Sequence, residues 1–146
     1  MRSAVYLVRH AAADSGVGGR DADRKLTERG RAGFERLLAS LGPKLTLTRV
    51  LSSPFLRALE TAEMLGRAGG TTVEPWDDLA SGHASGREML ALARQAGPGS
   101  ALVGHNPEIA EAVTLLSGAA ASVPPGTVAA LDLSGANPRL LWLRSP

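Results

Sequence analysis

Short apolar runs that alternate with amphipathic segments most restrict how this chain can fold. Residues 4–8 and 100–104 form apolar runs of strand length, and a briefer run covers residues 49–52. Between these runs, apolar residues recur three and four positions apart, which is the period of a helix that buries one face. Strands that alternate with helices predict a three-layer α/β/α sandwich with a mostly parallel sheet.

Two helices have recognisable ends in the sequence. The first begins near Thr27 and ends at Gly42, which a proline follows. The second opens at Ser53 and Pro54, and we expect the serine to be the N-cap and the proline to be the first helical residue. Its expected core face consists of Phe55, Ala58, Leu59, Ala62 and Leu65.

The second half of the chain continues the pattern less clearly. A short strand is expected at 71–73, an irregular stretch at 74–86 and a helix at 87–95. Asn106 and Pro107 are expected to cap a further helix. Residues 128–133 and 140–143 are interpreted as a closing hairpin.

Composition narrows the class of protein. The 146 residues suit one domain, expected to span 1–146. The absence of cysteine excludes disulfide scaffolds, thiol nucleophiles and cysteine-based zinc sites. The net charge of +2 and the aromatic content of 3% argue against nucleic-acid binding. No apolar stretch is long enough to span a bilayer and no signal peptide is evident, so we expect a cytoplasmic protein that does not associate with membranes.

Two predicted strands end next to a histidine. One ends at Arg9 and His10, and the other at Gly104 and His105. Between them, a third strand leads into a helix whose first turn contains Arg57. Because parallel strands end at one edge of the sheet, we expect these side chains to converge there, where ligand crevices form. Two guanidinium groups and two imidazoles would make a strong anion site, since arginine matches the geometry of phosphate oxygens.

A structural explanation exists for each residue taken alone. A histidine at a strand end is often only hydrogen-bonded, and an arginine at a helix start is often solvated. The convergence of four such residues favours function. A metal site is disfavoured because it normally needs a third protein ligand, and arginines repel a cation. We therefore expect neither a metal nor an organic cofactor.

Four segments, in the same order, resemble motifs of the histidine phosphatase superfamily, whose fold is called phosphoglycerate mutase-like. They are 6–13 (YLVRHAAA), 25–31 (KLTERGR), 50–62 (VLSSPFLRALETA) and 101–107 (ALVGHNP). The short chain and the SPFLR segment are most similar to the SixA-type phosphohistidine phosphatases.

The resemblance implies a role for each matching residue. His10 would be the nucleophile that accepts the phosphoryl group, and Arg9, Arg57 and His105 would bind the phosphoryl oxygens. The positive charges agree with what phosphoryl transfer needs. Neighbouring arginines would also keep His10 neutral, as a nucleophile must be. Arg24 is a candidate for the rim of the site, and Asn106 is a second.

The chain departs from the family pattern at two places. Ala11 stands where the usual residue after the Arg-His pair is glycine. Many members also have a glutamate, the general acid, where this chain has Ser81. Asp77, Asp78 or His83 could replace that acid, although loop-surface roles are the simpler interpretation. A missing acid favours a P–N substrate, because imidazole leaves with less help than an alkoxide.

Three functions remain open from the sequence. The leading one is hydrolysis of phosphohistidine on a signalling or phosphocarrier protein. A second is a small-molecule phosphomonoesterase that takes its acid from the 77–83 loop. The third is a phosphoprotein-binding module without catalysis, which would not need His10 or His105.

Overall fold

A mixed sheet of six strands lies at the centre of the computed structural model, which describes residues 4–16 and 18–146. Its strands are β1 (Val5–Arg9), β2 (Arg49–Ser52), β3 (Val73–Pro75), β4 (Ser100–Gly104), β5 (Val128–Asp132) and β6 (Arg139–Arg144). The helices are α1 (Glu28–Leu41), α2 (Leu56–Gly69), α3 (Gly86–Ala96) and α4 (Glu108–Ser117). Short 3-10 turns form at Asp21–Asp23, Gly42–Lys44 and Asp77–Leu79.

The strand order is β3-β2-β4-β1-β5-β6. The first four strands in this order are parallel, while β5 is antiparallel to both β1 and β6. The predicted α/β fold with a mostly parallel sheet is therefore confirmed. The expected closing hairpin is the β5–β6 pair.

Alternation along the strands divides the core into two halves. On β1, Tyr6 and Val8 pack with α1 and α2, through residues such as Phe34. Val5 and Leu7 point to the opposite face and pack with α3 and α4. Because successive side chains of a strand point to opposite faces, a strand buried on both sides must be apolar throughout. This explains the continuous apolar runs of β1 and β4.

The strand register brings three strand ends to one edge of the sheet. Arg9 at the end of β1 lies opposite Gly104 at the end of β4. The backbone N–H of His10 donates to the Gly104 carbonyl at 3.1 Å, which continues the pairing by one residue. The N–H of Ser53 likewise donates to the Val103 carbonyl at 2.9 Å. The residues that follow β1, β2 and β4 are therefore neighbours.

The predicted start of the second helix is wrong. The helix α2 begins at Leu56, and Phe55 is its N-cap, with no side-chain cap. Ser53 is instead a strand-end residue whose hydroxyl accepts from the Phe55 N–H at 3.2 Å. Phe55 has an extended backbone, with φ −68° and ψ 139°, so the helix can include neither Phe55 nor Pro54 before it. Phe55 and Leu59 are only half-buried, which also contradicts the predicted core face at those two positions.

Smaller differences concern segment boundaries. The strand predicted at 71–73 lies two residues later, at Val73–Pro75. The proline is tolerated because β3 is an edge strand. Among the described residues, no helix is both long and apolar enough to cross a membrane.

Candidate active site

His10 lies directly after β1 and is 7% exposed. Its Nδ1 is 2.7 Å from the carbonyl oxygen of Ala11. A carbonyl can only accept, so Nδ1 is the protonated nitrogen of the neutral ring. The other nitrogen, Nε2, is therefore unprotonated and carries a lone pair. The fold thus supplies the acceptor that fixes the tautomer of His10.

Arg57 lies in the first turn of α2 and is 4% exposed. Its Nε donates to Nε2 of His10 at 3.3 Å. This contact requires an unprotonated Nε2, which agrees with the tautomer that Ala11 selects. The register of β1 against β4 and of β4 against β2 thus brings Arg57 to the imidazole, as the sequence predicted.

Arg9, the last residue of β1, is half-buried and oriented by a distant loop. Its Nη1 donates to the Val123 carbonyl at 2.9 Å, while its Nε is buried without a partner among the described residues. The side-chain amide of Asn106 donates to the same carbonyl, also at 2.9 Å. The loop after α4 therefore orients two of the residues that sequence analysis selected.

His105 is 2% exposed and lies beside His10, with 5.3 Å between ring centroids. Its Nε2 is 2.7 Å from the hydroxyl oxygen of Ser53. Its Nδ1 is buried and has no hydrogen-bond partner among the described residues. Ser53 thus links the end of β2 to the end of β4, a role that a helix-cap interpretation missed.

Burial and positive charge keep both imidazoles neutral. Burial lowers the pKa of His10 to about 4, and the charges of Arg57 and Arg9 act in the same direction. Burial also lowers the pKa of His105 to about 3, with smaller contributions from His10 and Arg57. The pKa of Arg9 is lowered by burial and by the charge of Arg57. At neutral pH the site therefore combines two cations with two neutral imidazoles.

Asp21 is a site residue that the sequence analysis did not single out. Both terminal nitrogens of Arg57 donate to it, Nη1 to its carbonyl at 2.8 Å and Nη2 to its carboxylate at 3.3 Å. The pKa of Asp21 is lowered, first by its hydrogen bond with Arg24 and then by Arg57. In the sequence, the ion pair between Asp21 and Arg24 is indicated only by their spacing of three residues.

The two candidate rim residues have structural partners. Arg24 donates from Nε to the Asp14 carbonyl at 2.6 Å and from Nη1 to Asp21 at 3.1 Å. Its charge still acts on His10, so Arg24 belongs to the surroundings of the site. The Asn106 side chain accepts from the Ala110 N–H at 3.2 Å, which supports the predicted cap, although Pro107 occupies the N-cap position itself.

The three candidates for a general acid are exposed. Asp78 and His83 line a surface cavity with residues of α3 such as Glu88. Asp77 lies in the adjoining 3-10 turn. The buried carboxylate near this loop is Glu108, which is 2% exposed and whose Oε2 accepts from the Gly82 N–H at 3.1 Å. Glu108 therefore attaches the 77–85 loop to the start of α4.

The described residues contain no cluster of three or more histidine or carboxylate side chains suited to a metal. The positive groups of the site instead favour an oxyanion. Arginine forks and imidazole nitrogens are donors that fit three phosphoryl oxygens. The arrangement can thus bind a phosphoryl group beside an unprotonated histidine nitrogen.

Comparison with known proteins defines the class. The family model of the histidine phosphatase superfamily (branch 1) matches residues 5–106. The chain therefore belongs to the histidine phosphatase superfamily, whose members are phosphatases. No curated protein sequence matches the chain significantly.

Solved structures resemble the chain over nearly its whole length. One is described as a proposed phosphohistidine phosphatase SixA from Agrobacterium tumefaciens, with 26% identity, a TM-score of 0.83, and coverage of 100% of this chain and 99% of the other. Another is a protein histidine phosphatase SixA complexed with tungstate, with 25% identity, a TM-score of 0.82, and coverage of 98% and 97%. A phosphoserine phosphatase from Entamoeba histolytica has 15% identity, a TM-score of 0.70 and coverage of 96% and 95%, and shares the fold alone.

Proposed function

We propose that this phosphatase hydrolyses phosphohistidine on a signalling or phosphocarrier protein, with His10 as the nucleophile. The observation on which the proposal rests is the pair of contacts at His10. Nδ1 donates to the Ala11 carbonyl, and the lone pair of Nε2 accepts from Arg57. A buried, neutral histidine beside a guanidinium has the protonation state that attack on phosphorus needs.

The reaction would take place in two displacements. Nε2 of His10 attacks phosphorus, the P–N bond of the substrate breaks, and the substrate imidazole leaves with a proton from solvent, which the attacking water gives back in the second step. Water then attacks phospho-His10, which releases inorganic phosphate and restores the free Nε2. Arg9, Arg57 and His105 would hold the three phosphoryl oxygens through both steps. The buried Nε of Arg9 and Nδ1 of His105, which have no hydrogen-bond partner in the part of the chain that the structure describes, support this assignment.

The choice of a P–N bond rests on the loop between β3 and α3. Position 81 is serine, and Asp77, Asp78 and His83 are exposed. Hydrolysis of an alkyl phosphate needs a proton donor for the alkoxide, whereas imidazole is a better leaving group. The similarity to two structures named SixA supports the same substrate class.

The test compares a phosphohistidine-bearing protein domain with phosphoserine and a sugar phosphate. We expect rapid release from phosphohistidine alone. His10→Ala should abolish both turnover and the acid-labile phosphoenzyme seen with labelled substrate. Arg57→Ala should lower kcat/KM by about 100-fold or more, since it removes a charge that faces the transferred group.

His83→Ala is the matched control, because it removes an exposed histidine from the neighbouring loop. It should retain wild-type turnover and labelling. Activity that survives in His10→Ala would refute the proposed mechanism. A wild-type preference for phosphoserine or a sugar phosphate would instead assign the enzyme to small-molecule hydrolysis.

A further inference from the structure

Phe55 is a large apolar residue that belongs to neither half of the hydrophobic core. It is half-buried, and its ring contacts two residues of the site. The ring centroid lies 5.1 Å from that of His105, at an interplanar angle of 63°. The guanidinium carbon of Arg57 lies 5.1 Å from the same ring. Phe55 therefore forms an apolar wall beside the proposed phosphoryl-binding groups.

The backbone of Phe55 is fixed in this position. Its N–H donates to the hydroxyl of Ser53 at 3.2 Å. Its carbonyl accepts from the N–H groups of Ala58 and Leu59, each at 3.0 Å. Since Ser53 also contacts His105, the ring and the imidazole are positioned by one residue. An aromatic ring on a fixed backbone loses little conformational entropy when a ligand packs against it.

A benzyl side chain donates nothing to phosphoryl oxygens, so a direct role with substrate would concern the leaving group. In phosphohistidine, phosphorus is bonded directly to a planar imidazole, whereas in phosphoserine it is bonded to a flexible alkoxy group. Aromatic rings attract one another in edge or offset arrangements with centroids about 4.5–7 Å apart. Phe55 already accommodates one imidazole, that of His105, in an edge arrangement.

We infer that Phe55 is a specificity-determining residue that packs against the imidazole leaving group of the substrate. This inference rests on the proposed function. Phe55 is partly exposed, and its contact with Arg57 places the ring beside the proposed phosphoryl-binding groups. The enzyme would thereby distinguish an aromatic P–N substrate from an aliphatic phosphate ester without a general acid.

Four small substrates distinguish the effect of an aromatic leaving group from the effect of a P–N bond. Phosphoimidazole has both a ring and a P–N bond, and phosphoramidate has the bond without the ring. Phenyl phosphate has the ring with a P–O bond, and phosphoserine has neither. For Phe55→Leu, we expect kcat/KM to fall about 2- to 10-fold more on phosphoimidazole than on phosphoramidate. Phe55→Trp should restore most of this preference.

Leu56→Ala is the matched control, because it truncates the exposed apolar residue next in the chain. It should leave the ratio between the two P–N substrates unchanged. Equal losses on all four substrates in Phe55→Leu would overturn the inference, since Phe55 would then act only by positioning Arg57. If wild-type enzyme does not hydrolyse the P–N substrates, the proposed function fails. The ratio of phenyl phosphate to phosphoserine then decides separately whether Phe55 contacts an aromatic leaving group.

Discussion

Arg57 donates three hydrogen bonds within the protein, out of the five N–H groups of a guanidinium. Nε donates to His10, and both terminal nitrogens donate to Asp21. An incoming phosphoryl group would therefore share the Arg57 guanidinium with the Asp21 carboxylate. That carboxylate is 61% exposed, so its charge is screened and the competition is modest. Asp21 thus offsets part of the positive charge in the proposed phosphoryl-binding site.

Asp21→Asn should strengthen inhibition by tungstate or inorganic phosphate. The substitution removes the negative charge at Arg57, and we expect the inhibition constant to fall about two- to fivefold. The measurement is steady-state inhibition at constant ionic strength. Asp23→Asn is the control, because Asp23 lies in the same 3-10 turn but pairs with the exposed Arg20. Weaker inhibition in Asp21→Asn would show that the carboxylate is needed to hold Arg57 in place.

The helices α3 and α4 are in close contact at Gly86. A Cβ at this position would lie 2.6 Å from Cβ of Glu111 and 2.9 Å from the backbone nitrogen of Ala112. The Gly86 N–H also donates to the Glu111 carboxylate at 3.0 Å. This contact lies next to the Glu108–Gly82 bond that attaches the 77–85 loop. The spacing between the two helices therefore affects how the 77–85 loop is held.

Gly86→Ala should lower the free energy of unfolding by about 1–3 kcal/mol, because the helices must separate to admit a methyl group. Urea denaturation followed by circular dichroism measures the change. Gly135→Ala is the control, since the nearest atom to its added Cβ, the Asn137 nitrogen, lies 4.0 Å away. Equal stability of the two variants would mean that α3 can move away from α4 without cost.

Elements and site residues differed in how well the sequence predicted them. The strand ends that bear His10 and His105 were identified because apolar runs mark β1 and β4, and parallel strands end together. The start of α2 was misplaced because Ser53 and Pro54 have the chemistry of a helix cap, while the fold uses the serine hydroxyl at His105. The Val123 carbonyl reaches Arg9 and Asn106 because of the path of the loop after α4. Hydrophobic periodicity does not predict the path of a loop.

At the scale of the whole molecule, two buried neutral histidines make stability depend on pH. The folded-state pKa values of His10 and His105, about 4 and about 3, lie below the value of 6.5 expected for an unfolded chain. The unfolded state therefore binds more protons than the folded state below about pH 6.5. The corresponding stability is complete above pH 6.5 and is lost progressively as the pH falls towards 4.

Between pH 7 and pH 5 we expect each buried histidine to contribute a loss of about 1 to 2 kcal/mol. Urea denaturation at the two pH values measures this loss. The double variant His10→Gln with His105→Gln should lose less stability over the same interval. His83→Gln, which changes an exposed histidine, should behave as the wild type does. An equal loss in wild type and double variant would show that other groups cause the acid sensitivity.

The position of β1 in the sheet has a consequence for synthesis of the protein. Among the strands and helices that the structure describes, β1 is translated first, yet its neighbours are β4 and β5, at Ser100–Gly104 and Val128–Asp132. On the ribosome, β1 therefore cannot pair with a neighbouring strand until more than 90 further residues have been translated. A nascent chain that stops before residue 100 has neither neighbour of β1 and lacks His105. The proposed active site thus assembles only when translation has passed the strand β5.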